Sequence, residues 1–211
     1  MLHDIVLEGH GVRLRQLEPA DAPRLAEIVD AGMWTYMSSP FPDGVDAWAV
    51  VVAKALDSGD RLPFAVVDVA TGDVVGSTSF YERVPAQHRV EIGYTFYARA
   101  VWGTRVNPAC KRLLLGQAFD TWQCRRVALR CDVQNLRSAA AIQKLGATFE
   151  GNLRRHRTQS DGSQSDTSYF SIIDSEWAQV REALDLRLGA SAGQRAAAGP
   201  GESPLANARA W

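Results

Sequence analysis

The sequence predicts an α+β domain with a mixed, mostly antiparallel central sheet, on three observations. Apolar runs of strand length alternate with amphipathic helical stretches along most of the chain. Two pairs of strand-like runs are joined by hairpin connections, Ala70-Thr71-Gly72-Asp73 and Asp161-Gly162. One strand–helix–strand unit, over 89–132, requires a parallel pair. With 211 residues, 46% hydrophobic and 22% charged, the chain suits one domain with a real core, expected to span 1–188.

The elements follow in order. Residues 12–17 alternate as a strand. Leu17-Glu18-Pro19-Ala20-Asp21 then opens a helix that places Leu25, Ile28 and Val29 on one face. Residues 46–56 form a second helical stretch, stopped at Ser58-Gly59-Asp60. Between these helices, 32–44 is an aromatic loop. Its Trp34, Tyr36 and Phe41 are candidates to line a substrate pocket. Strands follow at 63–69, 74–81 and 89–97. A helix is expected over 109–122, a strand over 125–132, and a short helix over 138–145 stopped by Gly146. Strands at 148–158 and 165–173 lead to a closing helix over 174–188, with Trp177, Val180, Leu184 and Leu188 spaced for burial. From Gly189 the composition turns to Ala, Gly, Pro, Ser and Arg, and 189–211 reads as a disordered tail.

Bulk properties narrow the function. A formal net charge of −1 offers no general attraction to nucleic acid. No apolar run is long enough to span a bilayer, and the N-terminus lacks a secretory pattern. Cys110, Cys124 and Cys131 are odd in number and fit no zinc spacing, so free thiols in a cytoplasmic protein without a metal are expected.

Chemistry concentrates at Trp102-Gly103-Thr104-Arg105-Val106-Asn107-Pro108. A strand turning sharply into a helix presents unpaired N–H groups at the positive end of a helix dipole, a place for an anion. Asn107-Pro108 also reads as an ordinary N-cap and first helical residue. Gly103 permits close backbone approach, and Thr104 adds a hydroxyl. A second segment, Asn135-Leu136-Arg137-Ser138, follows a strand and opens the short helix. Asn135 suits the cap there too.

Taken together, these segments resemble the GNAT acetyltransferase superfamily, in its RimJ/RimL-type N-acetyltransferase branch. The resemblance rests on Glu91-Ile92-Gly93-Tyr94, Trp102-Gly103-Thr104, Lys111-Arg112-Leu113-Leu114-Leu115 with Ala118-Phe119, Asn135-Leu136-Arg137-Ser138, Glu150-Gly151-Asn152-Leu153-Arg154, and Tyr169-Phe170-Ser171-Ile172-Ile173-Asp174 before Trp177. It covers about 12–188. It implies a sheet flanked by helices on both faces, and acetyl-CoA as co-substrate. It implies pantetheine contacts from the backbone of Thr95, Phe96 and Tyr97, a pyrophosphate loop at Trp102, Gly103, Thr104, Arg105, Val106 and Asn107, and a CoA contact from Asn135. The family loop is written Q/R-x-x-G-x-G/A, so this chain departs from it at Trp102, Arg105 and Asn107. If the glycine position needs φ > 0, Arg105 is strained there, and its guanidinium offsets that by pairing with phosphate. Otherwise the loop takes a different path and Arg105 faces solvent. Both readings are open from sequence.

Many family members protonate the leaving thiolate with a Tyr where this chain has Ile142. Ser138, one turn earlier, resembles the Ser of the RimL-type branch and is the candidate acid, against a reading in which it only fills helix space. Glu91 is the first candidate for general base, since apolar neighbours would raise its pKa. Glu82 is the second. A structural ion pair for Glu91 and an exposed loop charge for Glu82 are the alternatives. The implied reaction is direct transfer of acetyl to a primary amine, a protein N-terminus or a small molecule. The rival is a non-catalytic acyl-CoA-binding regulatory module. A homodimer is compatible with the closing strands and helix.

Overall fold

The computed structural model describes residues 2–197, and its described part forms an eight-stranded sheet with helices on both faces. The strands are β1 (Leu7–Gly9), β2 (Val12–Gln16), β3 (Arg61–Asp68), β4 (Val74–Val84), β5 (Arg89–Tyr97), β6 (Arg126–Asp132), β7 (Thr148–Thr158) and β8 (Gln164–Ile173). Their spatial order is β1-β2-β3-β4-β5-β6-β8-β7. Every pairing is antiparallel except β5 with β6, as the single strand–helix–strand crossover requires. The helices are α1 (Ala22–Ile28), α2 (Ala31–Trp34), α3 (Val45–Asp57), α4 (Val106–Gly116), α5 (Leu136–Gln143) and α6 (Asp174–Ala197).

Strand alternation splits the apolar residues into two cores. On one face Phe64, Val66, Phe80, Val90 and Ile92 pack against Leu114 and Leu115 of α4 and Trp177, Val180 and Leu184 of α6. On the other, Ala65 and Val74 meet Leu25 of α1 and Trp48 and Val52 of α3. All three cysteines are free and buried. Among the described residues, no helix is long and apolar enough to cross a membrane.

Several boundaries differ from the sequence reading. The Leu7–Gly9 strand is too short for periodicity to reveal. It exists because it completes a hairpin on β2. Helix α4 starts at Val106 with Arg105 as N-cap, so Asn107 and Pro108 lie inside it rather than capping it. The Thr104 hydroxyl takes the capping role by accepting from Val106 N at 3.3 Å. After Gly116 the helix widens into a π-helical turn, Gln117–Thr121, and does not run straight to Trp122. Helix α6 continues through Ala197, past the expected start of the tail at Gly189. Its Ala-rich composition has good helix propensity once tertiary contacts have nucleated the helix. The rest of the expected tail, 198–211, lies outside the described residues.

The feature that positions the site is a divergence. β5 and β6 pair only at Arg89↔Arg126, Val90↔Val127 and Glu91↔Ala128. Beyond those positions β5 follows β4, and β6 follows β8 as far as the Asp132↔Thr167 pair. A bulge drives the split. Between Ser79↔Gly93 and Ser77↔Phe96 the register shifts, and Tyr94 adopts a left-handed φ of 49°. Gly76, opposite Tyr97, lets the two backbones close up after the bulge: a Cβ there would lie 2.3 Å from the Phe96 carbonyl oxygen. Gly76→Ala is expected to destabilise the protein by about 1–3 kcal/mol. It should also reshape the far end of β5, read together as a lower urea midpoint and weaker CoA binding.

Candidate functional site

Where β5 and β6 part, the gap opens into a cavity of about 1220 Å³. One wall is β5 from Ile92 to Tyr97, and the other is Leu129 to Asp132 of β6. Ala98 N donates to Val75 O at 2.9 Å, on the β4 side. Strand alternation therefore turns the Tyr97 peptide toward the gap. Its carbonyl there accepts from the Trp102 indole at 2.8 Å. Thr95, Phe96 and Tyr97 all line the cavity.

The loop before α4 is laid out differently from the expectation. The left-handed residue is Gly103, at φ 72°, and a Cβ on it would meet nothing within 4 Å, so its backbone is open to an incoming group. Trp102, Gly103 and Asn107 line the cavity. Thr104 is occupied within the loop, donating to Val101 O at 2.7 Å. Val106 is buried in the core and offers backbone alone. Arg105 has an ordinary helical φ of −67°, so the strain considered from sequence does not arise. Its guanidinium turns away to the β1–β2 connection, with Nη2 3.5 Å from Gly11 O, and it is not among the cavity walls.

A different arginine faces the cavity. Arg137, in the first turn of α5, lines the cavity and lies over the Trp102 ring at 3.8 Å. Arg99 lies over the same ring at 4.6 Å but is paired with Asp30. Arg137 has no hydrogen bond or ion pair among the described residues, and partial burial and the Arg99 charge hold its pKa below the usual value. Asn135 Oδ1 accepts from Ser138 N at 3.0 Å, so it caps α5. Its amide nitrogen has no partner among the described residues, and Asn135 also lines the cavity. Ser138 lines it too, with its hydroxyl against the Cys131 thiol.

The two carboxylates meet at Arg130 of β6. Glu82 Oε1 accepts from Arg130 Nη2 at 3.1 Å, and Glu91 Oε2 stands 3.4 Å from Arg130 Nε without hydrogen-bond geometry. The Tyr169 hydroxyl accepts from the same guanidinium at 2.5 Å. Glu82 lines the cavity; Glu91, 4% exposed, does not. Burial pushes the Glu91 carboxyl up from its ordinary value, against the opposing hydrogen bond from Tyr81 and the Arg130 charge. Glu91, the first candidate for the base, thus has the raised pKa its apolar neighbours predict but does not line the cavity, whereas the second candidate, Glu82, does.

Trp34, Tyr36 and Phe41 also line the cavity. Trp34 donates from its indole to Ser39 O at 3.1 Å and packs edgewise on Trp48 and Phe96, which fixes the segment. Arg157 of β7 donates to Ser38 Oγ at 2.9 Å, closing the segment from the other side of the sheet. His156 and Arg157 of the basic strand are cavity walls as well.

The sequence reading passed over Arg137, Lys111 and Arg130. The i, i+4 spacing of Asn107 and Lys111 puts both on one helix face and was a readable signal for Lys111. No local signal marks Arg137 or Arg130.

The family described as Acetyltransferase (GNAT) domain matches residues 12–148. The "Putative ribosomal N-acetyltransferase YdaF" of Bacillus subtilis (strain 168) is 27% identical over 173 residues, covering 79% of this chain and 93% of that protein. The crystal structure of a GCN5-related N-acetyltransferase from Brucella melitensis superposes with a TM-score of 0.82 at 29% identity, over 89% of this chain and 86% of that one. Mycobacterium smegmatis RimJ, solved in complex with CoA-disulfide, shares the fold, with a TM-score of 0.72 at 22% identity over 86% and 92% of the two chains.

The two arginines make a direct contrast. Arg137→Ala should weaken CoA binding about tenfold, the scale of one lost charge-assisted hydrogen bond. Arg105→Ala should change it less than twofold. Titration calorimetry at two salt concentrations reads both, and the Arg137 effect should shrink as salt rises.

Proposed function

Since this chain belongs to the GNAT acetyltransferase family, is of the RimJ/RimL type and is an acetyl-CoA-dependent N-acetyltransferase, we propose that acetyl-CoA lies along the β5–β6 gap and that a primary amine approaches over the aromatic segment. The observation that carries this reading is the short parallel pairing of β5 with β6. It leaves the β5 edge unpaired over the length an extended pantetheine arm needs, with an open backbone anion site at Gly103 at its outer end.

Recognition follows from these surfaces. The Gly103 backbone, the first turn of α4 and the Arg137 guanidinium receive the pyrophosphate. The Tyr97 peptide and the Asn135 amide bond the pantetheine amides. The thioester then sits toward the Glu91↔Ala128 end, where the strands rejoin. The peptide groups on β5 orient the carbonyl and stabilise the charge that develops on its oxygen. The amine nitrogen attacks the carbonyl carbon, the C–N bond forms, and the C–S bond breaks.

The attacking ammonium must first lose a proton. Glu82 is the group placed to receive it, directly or through water, because its carboxylate reaches the cavity. Glu91 acts behind it, holding Arg130 and through it Glu82. The acceptor is a protein N-terminus or a small amine. The ribosomal naming of the Bacillus subtilis relative supports the first.

Acetyl-CoA is to be offered with a panel of N-terminal peptides and of small amines, following thiol release. Turnover concentrated on peptides selects a protein acceptor. CoA binding without turnover on any amine returns the non-catalytic acyl-CoA-binding module, and failure to bind CoA removes both readings. On the best acceptor, Glu82→Gln should lower kcat/KM about a hundredfold, with CoA affinity within twofold of wild type. A loss confined to Glu91→Gln would reassign the base.

A further inference from the structure

Lys111 of α4 is a buried cation without an anion. It is 5% exposed, and Nζ donates to Thr95 Oγ1 at 2.9 Å, which in turn shares a 2.8 Å hydrogen bond with Thr78 Oγ1. No carboxylate forms an ion pair with it among the described residues. The titratable groups facing it are the Cys110 thiol on its own helix and, beyond that thiol, the Tyr97 phenol of β5. Burial pushes Cys110 up to about 12 and Tyr97 well above its ordinary value, so both are neutral at physiological pH and offset no charge. A lone buried ammonium is costly to the fold. That cost is offset only when negative charge enters the cavity, of which Lys111 is a wall.

The place of Nζ says which negative charge. Asn107, in the first turn of α4, lies one helical turn before Lys111, and Arg137 already faces the preceding loop across Trp102. Nζ lies further in, at Thr95, on the strand wall between the loop and the point where β5 and β6 rejoin. In that interval a thioester would carry its sulfur. The other candidate donors are poorly suited: Ile142 has no proton to give, and Ser138 is set against Cys131.

Resting on the reading that acetyl-CoA occupies this gap, we propose that Lys111 is the general acid of the transfer, delivering a proton from Nζ to the departing CoA sulfur. The amine forms its C–N bond, the C–S pair leaves on sulfur, and sulfur takes the Nζ proton. CoA departs as the thiol, and neutral Lys111 regains a proton from water. Thr95 Oγ1 aims the ammonium. Burial sets the Lys111 pKa to about 8, so the group is charged at neutral pH and its proton is easily given up. The sign follows: activity that depends on the charged form is complete below that pH and falls as pH rises through it.

The test uses the full-length enzyme and three readouts. Lys111→Met should stay folded, bind CoA within threefold of wild type, and lose about a hundredfold or more in kcat. The descending limb of kcat near pH 8 should vanish with it. Lys111→Arg keeps the charge but holds its proton too tightly, so it should stay slow and also lack that limb. The third readout needs no acceptor. The thiol of bound CoA, followed by ultraviolet thiolate absorbance, should titrate about one unit or more lower on wild type than on Lys111→Met. A CoA thiol that titrates alike on both proteins overturns the proposal, as does a Lys111→Arg enzyme with wild-type kcat, which would mean that charge alone suffices. A Lys111→Met effect confined to CoA affinity overturns it as well, by making Lys111 a binding residue. Failure of wild type to bind CoA would instead sink the site reading on which this proposal depends.

Discussion

Much of this molecule hangs on how few residues β5 and β6 share. Three register positions hold the two halves of the sheet together, and past Glu91 and Ala128 the strands go separate ways. A sheet interior normally satisfies every peptide group. Here the bulge at Tyr94 and the close approach allowed by Gly76 turn β5 toward β4, leaving its other edge without a strand. That unpaired edge, buried between two helical layers, calls for a ligand able to hydrogen-bond like a strand. An amide-bearing pantetheine arm has that character.

Charge is arranged around the same gap. The outer end has the α4 N-terminus and Arg137, which has no ion pair among the described residues. Lys111 is a further wall, and just past the Glu91↔Ala128 pair Arg130 gathers Glu82, Glu91 and Tyr169. Of Arg130, Arg137 and Lys111, Arg130 alone has carboxylate partners among the described residues. In the proposed reading Arg137 and Lys111 await charge that enters: the permanent charge of a pyrophosphate and the transient charge of a thiolate. Local rules of pairing are broken where substrate is expected to complete them.

The site was partly legible in the sequence. Thr95, Phe96, Tyr97, Gly103, Asn107 and Asn135, all named from the motifs, line one cavity, because each owes its place to backbone: a strand end, a turn and a helix start. Trp34, Tyr36 and Phe41 were readable as an aromatic loop between two helices. The ranking of side chains was not readable. Arg105 is two positions in sequence from the cavity walls Gly103 and Asn107, yet as the N-cap of α4 it points at Gly11. Glu91 has the apolar neighbours that raise a carboxyl pKa, but they seal it from the cavity, whereas Glu82 reaches in from a left-handed backbone position with φ 47°.

Apart from the short β1 and α2, the sequence by itself determined the order of strands and helices, the one parallel crossover, the hairpins and the strand-to-helix turn before α4. These depend on periodicity and turn chemistry over a few neighbouring residues. Only the tertiary structure decided that Arg137 rather than Arg105 lines the cavity, that Glu82 rather than Glu91 does so, and that Lys111 is buried without a counter-ion among the described residues. Each depends on the register of strands far apart in the chain and on which helix covers them. A side chain's charge is written in its own residue, but its partner is chosen by the packing of others.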